Sequence, residues 1–441
     1  MAEPSKKYVL ESVQILSSRS TIPVEIASSV TDLDIFEHLD SPFLTAQVAF
    51  SDDTRLMDRL DLQGAEYVTV KIKPNIATEP VVEKRFVIET VISQTKINET
   101  SELVILSLYE DILFKSNFKN VNKSYSGSPI QMIKDIAEEF LAKGVVQEGQ
   151  STFQNKMKLI VPNLDPLKAI AWIKNRMTTS DGVPNFIHST LGVDKLIVND
   201  LLTMIDKQPV NASKPFMYAA TPNLAEEKLG GTNYIPILSY NEEQKENMFE
   251  MIQRGLVGAQ YQFYDAFTSK VYKHDFNYKK DVVDALPSTK EKAYNFAEYE
   301  IDGEVLNKIQ SQKITQIGGS GAYNNGLSSP KSYNEEKESS DYAKKVIGNV
   351  MKQHLLKAPI TIKVSGVGFL KPDYNMTIGN TLRIYFLQNK PANAKSTNNW
   401  DMKRSGDYLM YAAKHSFTVE RYDISITCAK MKNFTSEQAI V

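Results

Sequence analysis

The sequence predicts a mainly β, α+β protein in which two small antiparallel β-barrel modules flank an α+β insert. Three observations carry that prediction. Near both ends of the chain, short runs alternate apolar and polar residues, the period of a half-buried strand. Between about residues 128 and 205 the apolar spacing changes to three and four, the period of a helix. Turn-forming residues then punctuate the strand runs closely enough for small sandwiches or barrels.

In the first 115 or so residues, Leu44, Ala46, Val48 and Phe50 alternate with polar neighbours, and Val68, Val70 and Ile72 repeat the pattern. Phe86 to Ile92 and Leu103 to Leu108 are further β-rich runs, with Pro74 and Asn98–Glu99–Thr100 as breaks. Between them, Asp53 to Leu62 reads as one short helix, because Leu56 and Leu60 lie four apart. Ser128 then offers an N-cap and Pro129 suits a first helical position, where its missing N–H costs nothing. Ile130, Ile133, Ala137, Phe140 and Leu141 fall on one face of that helix, and Gly144 is its expected stop. Asp165 and Pro166 announce a second helix with Leu167, Ile170 and Ala171 inward. Two strands, Asn185 to Thr190 and Lys195 to Asn199, follow around a turn at Gly192, and this unit ends near Ile205.

After a Pro- and Asn-containing stretch, Ala259 to Phe267 and Ser269 to Tyr278 read as strands. Gly318 to Glu338 is a loop by composition, rich in Gly, Ser, Asn and charge with little to bury. A helix is expected over Asp341 to Leu356. Strands are then expected at Ile360 to Val364, Thr381 to Phe386, Tyr408 to Ala413, Ser416 to Arg421 and Ile424 to Ala429. These elements divide the chain into a first β-barrel domain (1–118) and an α+β domain (119–207). A connecting region (208–345) carries the first strands of the second barrel and a flexible loop at 314–340. The remainder of the second barrel is 346–441.

Composition narrows the function. The 441 residues are 42% hydrophobic and 24% charged, which fits a folded chain and excludes wholesale disorder. Fifty-one Lys and Arg against fifty-three Asp and Glu leave a net charge of −2, which argues against affinity resting on a globally basic nucleic-acid surface. Cys428 is the single cysteine, so neither an intrachain disulfide nor a multi-thiolate zinc site can form. Met1 to Lys7 lacks a signal-peptide core, and no run approaches the roughly 20 apolar residues of a membrane span, so a soluble protein of a reducing compartment is expected.

A search for catalytic chemistry returns little. His38, His188, His274, His354 and His415 have no metal-site spacing, and the ordinary reading of each is a strand histidine with its polar edge outward. Gly318–Gly319–Ser320–Gly321 is followed by Ala322–Tyr323–Asn324–Asn325–Gly326, without the Gly-Lys-Ser/Thr of a phosphate-binding loop, and no Gly-x-Ser-x-Gly elbow occurs. Glu138 and Glu139 are neighbours and do not share a helix face. Glu242, Glu243 and Glu246 read as a solvated run rather than a glycosidase pair. Tyr261, Phe263, Tyr264 and Phe267 could stack on bases or sugars, but aromatics in alternating register ordinarily pack a core. The expectation is therefore no catalytic, metal or cofactor residue and no cofactor. No interface residue is named.

Several phrases, in order along the chain, resemble the central hub proteins of contractile-tail bacteriophage baseplates. They are Ser41–Pro42–Phe43–Leu44–Thr45–Ala46–Gln47–Val48, then Asp58–Arg59–Leu60 and Gly64–Ala65–Glu66. The middle contributes Ala171–Trp172–Ile173, the strand pair around Gly192 and Leu202–Thr203–Met204–Ile205. Later come Gly255–x–x–Gly258 with Asp265, and Gly366, Gly379, Leu382, Ile384, Gly406–x–Tyr408 and His415–x–Phe417. The resemblance covers most of the chain; the loops 314–340 and 389–407 depart from it as elaborations.

That resemblance implies a non-enzymatic structural protein with two similar barrels per chain. Three subunits would close a ring of six barrel positions and adapt a sixfold tail tube to a threefold central spike while letting DNA pass. Its implied partners are itself as a homotrimer, the spike, the tube or tube-initiator protein, neighbouring baseplate proteins and the tape measure protein. Sequence-specific nucleic-acid binding and stable membrane insertion are not implied. The implied location is the virion's tail baseplate, after assembly in the host cytoplasm; a related injection machine would use a similar hub. The alternative from another class is a tail-associated cell-wall hydrolase or carbohydrate-binding β protein. A nucleic-acid-binding β barrel is a third.

Overall fold

The structure, a computed structural model, describes residues 8–20, 22–75, 82–148, 157–179, 182–219, 234–243, 247–265, 270–283, 300–301, 304–305, 312–317, 338–356, 358–370, 378–387, 400–401 and 403–433. Positions 318–337 of the expected loop and most of 389–407 lie outside these residues.

The chain opens with β1 (Tyr8–Leu16), β2 (Val24–Glu25), β3 (Val30–His38) and β4 (Thr45–Asp52). The short helix α1 (Leu56–Leu60) leads to β5 (Tyr67–Pro74), β6 (Val82–Lys96) and β7 (Glu102–Glu110). On β4 the expected alternation holds, with Ala46, Val48 and Phe50 buried between half-buried neighbours. The β6–β7 hairpin turns where the Asn98 side chain accepts from the backbone N–H groups of Thr100 (2.9 Å) and Ser101 (2.7 Å).

The insert follows as α2 (Asp111–Asn117), β8 (Ser124–Gly127), α3 (Pro129–Leu141), β9 (Gly144–Gln147) and β10 (Met157–Ile160). It ends with α4 (Pro166–Lys174), β11 (Asn185–His188), β12 (Lys195–Asp200) and α5 (Leu201–Asp206). Asp165 caps α4, accepting from Lys168 N–H at 2.9 Å, and Asp200 caps α5 through Thr203 N–H at 3.0 Å. Ser128 flanks α3 in extended backbone but its side chain makes no cap bond. Gly144 does not stop α3 either. Ala142 takes the left-handed position at φ 52°, and Gly144 starts β9.

The remaining elements are β13 (Phe216–Tyr218), β14 (Ile235–Pro236), β15 (Ser239–Glu242), α6 (Met248–Gln253), β16 (Gly258–Asp265) and β17 (Lys270–Asn277). After β18 (Glu300–Ile301), β19 (Glu304–Val305) and β20 (Gln312–Ile317) comes α7 (Glu338–Leu355). The last four strands are β21 (Ile360–Ser365), β22 (Thr381–Phe386), β23 (Gly406–Thr418) and β24 (Tyr422–Asn433). The two strands expected at Tyr408 to Ala413 and Ser416 to Arg421 are one 13-residue strand, β23. The run of alternating burial passes unbroken through Lys414 and His415, so nothing there forces a turn.

The mainly β, α+β class expected from the sequence holds. The first and last β modules merge into one 14-stranded sheet, in the order β14-β13-β22-β23-β3-β4-β7-β6-β5-β1-β2, with β24, β21 and β15 branching from β23. Among the described residues the pairing of the first module stays open at β2. In the last module the 235–242 segment bridges β13 and β21, with Ile237 N–H donating to Met217 O and Leu238 N–H to Lys363 O, each at 2.8 Å. Even so, the two modules are one sheet. The reason lies in β23. Its start pairs with β22, its end (Ala412 to Thr418) pairs with β3 on the same edge, and β24 lines its other edge. A strand that long serves two sheets at once, and bulges near Asp407 and Met410 add the local bend.

Each part has its own core. The first module buries Val13, Ile35, Val48, Phe50, Val70 and Phe86, among others, and draws Leu191, Phe417 and Tyr422 from outside it. The insert packs α3 and α4 on its strands through Ile133, Ile136, Ile170 and Ile173. The last module centres on Ile362, Leu382, Tyr408 and Ile426. A fourth core joins α7 to β16 and β17 through Val346, Val350, Met351, Tyr261 and Phe276, and reaches Leu39 and Tyr411 of the large sheet.

Candidate assembly interface

Two buried polar junctions fix the insert against the large sheet. In the first, Glu37 occupies an inward position on β3, in phase with the buried Leu33 and Ile35. One of its carboxylate oxygens accepts the backbone N–H of Leu191, in the β11–β12 turn of the insert. The other lies 3.3 Å from Nε2 of His415 on β23. His415 Nδ1 is 2.7 Å from the Tyr422 hydroxyl on β24, so one polar chain crosses both modules and the insert.

In the second junction, Glu110 at the end of β7 accepts Leu44 N–H (2.9 Å) and the Lys143 ammonium (3.2 Å). Lys84 sits inward on β6 between Val82 and Phe86, 4.0 Å from the same carboxylate, and donates to Val193 O at 2.9 Å. Burial holds the Lys84 ammonium below the usual lysine range; Glu110 opposes that shift. Above this junction opens a polar cleft of about 580 Å³, lined by Tyr67, Arg85, Asp111, Lys115 and Asp194 among others. Two ion pairs lie in its wall, Lys115 with Asp111 at 2.6 Å and Lys143 with Asp194, while Arg85 stacks on the Tyr67 ring at 3.8 Å.

Open strand edges lie outside this framework. From Thr90 to Lys96, β6 pairs with β7 on one edge, and no described strand takes the other. Ile92 and Ile97 are exposed there. Bulges at Glu89 and Ile92 interrupt the register, a device that stops an edge from pairing indiscriminately. Among the described residues β17 pairs only with β16, and it exposes Val271 beside Tyr264. Among the described residues β15 pairs only with β21.

The structure does not gather the residues singled out by chemistry. The five histidines occupy separate places. His188 is buried on β11, and burial pushes its pKa down to about 4. His274 faces Asp281 at 3.3 Å, and His354 Nε2 contacts Leu256 O at 3.2 Å. Tyr261 and Phe263 are buried in stacked array (6.2 Å, 9°) while Tyr264 is exposed; Phe267 lies outside the described residues. Glu139 pairs with Lys123 at 2.8 Å and Glu242 with Arg404 at 2.9 Å, so neither forms a carboxylate pair with its neighbour. Gly318 to Gly321 and Glu246 lie outside the described residues. Among the described residues, no group of three or more His, Cys, Asp or Glu is placed to hold a metal ion. No described helix is long and apolar enough to cross a membrane.

The phrases behind the resemblance serve local structure. In Gly64–Ala65–Glu66, Glu66 accepts Gln63 N–H (2.9 Å) and Gly64 N–H (3.0 Å), with Gly64 at φ 95°. His415 and Phe417 both stack on Tyr422, and Gly366 lies so close to that ring that a Cβ would stand 2.4 Å from it. Sequence reasoning missed Glu37 and Lys84. Their signal was present: each is a charged residue in the apolar phase of a strand.

No protein-family model matches the sequence, and no curated protein matches it. Solved structures do. The 43 kDa tail protein of prophage MuSo2 from Shewanella oneidensis is similar with a TM-score of 0.52 at 9% identity, over 95% of this chain and 98% of that one. The tail protein from Neisseria meningitidis MC58 is similar with a TM-score of 0.51 at 11% identity, over 96% of each chain. At such identities the likeness is one of fold, and it runs through both β modules and the insert. The chain has the fold of these two tail proteins.

Proposed function

We propose that this chain is a structural subunit of a phage-type contractile tail, and within it the central hub of the baseplate. Three copies form a ring that adapts a sixfold tube to a threefold spike, lets DNA pass, and is assembled in the host cytoplasm before it joins the virion. The observation that carries this reading is the continuous sheet. Two β modules, one from each end of the chain, share the strand β23 and are locked to the insert by Glu37 and His415. A rigid body with β modules side by side supports a ring subunit, and its open edges at β6, β15 and β17 are the surfaces offered to neighbours. The partners in this reading are a second and third copy, a spike protein, a tube or tube-initiator protein, neighbouring baseplate proteins and the tape measure protein. Fold likeness to tail proteins over almost the whole length supports the same reading.

Light scattering of the purified chain over a range of concentrations tests it. A mass near three times 49.7 kDa that dilution does not change is the expected result. A chain that remains monomeric both alone and with a co-expressed spike would overturn the ring. For the cell-wall hydrolase or carbohydrate-binding alternative, two of the candidate carboxylates, Glu139 and Glu242, are paired with Lys123 and Arg404 respectively.

A further inference from the structure

A second, smaller cavity lies where the insert meets α7. It holds about 60 Å³ and is lined by Lys174, Asn175, Thr178, Lys344, Asn349 and Lys352, with further neutral residues and no carboxylate. We propose that this pocket binds a single small oxyanion, the phosphate or carboxylate group of a ligand no larger than a few water molecules. This goes beyond the assembly role and does not rest on it.

The charge balance carries the argument. Asp40, in the turn after β3, gives one carboxylate oxygen to Lys174 and the other to Lys352. One negative charge therefore faces two ammoniums, and no acid among the described residues pairs with Lys344. Lys174 and Lys352 are largely buried, at 12% and 25% side-chain exposure, so water screens their mutual repulsion poorly. Two consequences agree with an excess of positive charge. Burial, then the neighbouring Lys174, hold the Lys352 ammonium below the usual lysine range. Burial alone would raise the Asp40 carboxyl, but the two lysines outweigh it and hold it below the usual carboxylate range.

The pocket is also built to a fixed width. A Cβ on Gly182 would stand 3.1 to 3.3 Å from Lys344, and one on Gly348 would stand 3.2 Å from Gly182 O. The two backbones therefore meet closely at these glycines and fix the first part of the Lys344 side chain at the pocket wall. Around 60 Å³ admits one tetrahedral oxyanion or one carboxylate and excludes a nucleotide. Amide and hydroxyl groups from Asn175, Asn349 and Thr178 complete a lining suited to oxygen ligands.

Calorimetric titration of the 441-residue chain at constant ionic strength in sodium chloride tests the proposal, with inorganic phosphate in one arm and acetate in the other. One saturable site per chain is expected in at least one arm. Heat with phosphate alone would show a site for a tetrahedral oxyanion, and heat with acetate as well a site that takes any small oxyanion, carboxylates included. Lys344→Gln, which keeps the methylenes packed on Gly182, should weaken that binding at least tenfold, while Lys214→Gln, at an exposed position just before β13, should leave it unchanged. No heat in either arm, or equal affinity in Lys344→Gln and the parent, would overturn the site. Thermal unfolding without added anion shows that both variants fold.

Discussion

His415 Nε2 lies 3.3 Å from Glu37 Oε2, and neither side chain reaches solvent. The two atoms are close enough for an ion pair, but they are not aligned as a hydrogen bond. The contact spans the place where β23 of the last module pairs with β3 of the first, next to the Leu191 N–H of the insert. Three parts of the chain therefore depend on one carboxylate. Glu37→Ala leaves both the histidine and the Leu191 N–H without their partner and should cost about 3–5 kcal/mol. Glu37→Gln retains an acceptor for Leu191 and should cost about 1–3 kcal/mol. Urea unfolding measures both; equal losses would mean that the charge and the Leu191 bond do not matter separately.

Acid should loosen the same region through His188. Burial, only partly opposed by the negative Glu37, lowers its pKa from 6.5 to about 4, so the folded chain keeps it neutral where the unfolded chain would protonate it. The depressed value fixes the sign. The stability this residue contributes is complete above about pH 6.5 and is lost progressively as pH falls towards about 4, at most about 3 kcal/mol in all. Other groups titrate in that window, so the measurement is the difference between the parent and His188→Gln in thermal unfolding from pH 7 to pH 4. The parent should lose more stability than the variant. Parallel curves would refute the assignment.

How far the fold was legible in the sequence depends on whether a signal was local. The α4 cap was legible because Asp165 and Pro166 act within one turn, and Asp165 does accept Lys168 N–H. The strand over Leu44 to Phe50 was legible because its alternation is a property of eight residues. The union of Tyr408 to Ala413 with Ser416 to Arg421 was not, since β23 is held straight by β3, almost 400 residues earlier in the chain. That the two β modules share one sheet was not legible for the same reason: which edge β3 joins is a tertiary fact. The buried junctions were half legible. Glu37 and Lys84 stand in the apolar phase of their strands, which marks them as paired inside, but their partners Leu191 and Val193 sit in a turn that periodicity does not place.

Cys428 offers a simple probe of whether the last module stays closed. It is fully buried on β24, opposite Met410 on β23 and Ile360 on β21, and burial pushes its thiol well above the usual range. The thiolate is the reactive form, so both access and ionisation are suppressed. A disulfide reagent at pH 8 should find no reactive thiol in the native protein and one per chain in denaturant, because the sequence holds a single cysteine. Rapid native labelling would show that the β23–β24 pair opens readily.

Gly366 and Tyr422 should behave as one unit. Gly366 begins the short 3₁₀ turn after β21, and an added Cβ would stand 2.4 Å from Cε1 and Cζ of the Tyr422 ring. That ring has nowhere to go. It stacks on Phe417 with centroids 4.2 Å apart, lies parallel to the His415 ring, and contacts His415 Nδ1 through its hydroxyl at 2.7 Å. Gly366→Ala must therefore displace the ring or bend the turn, an overpacking cost of about 1–3 kcal/mol. Removing the ring should remove the cost. In a Tyr422→Ala background the same glycine substitution should change stability by no more than about 0.5 kcal/mol, so the double-mutant cycle carries a coupling of nearly the full single-mutant effect. Urea unfolding of the four proteins decides it: if Gly366→Ala costs as much without the tyrosine ring as with it, the close approach is not what requires glycine there.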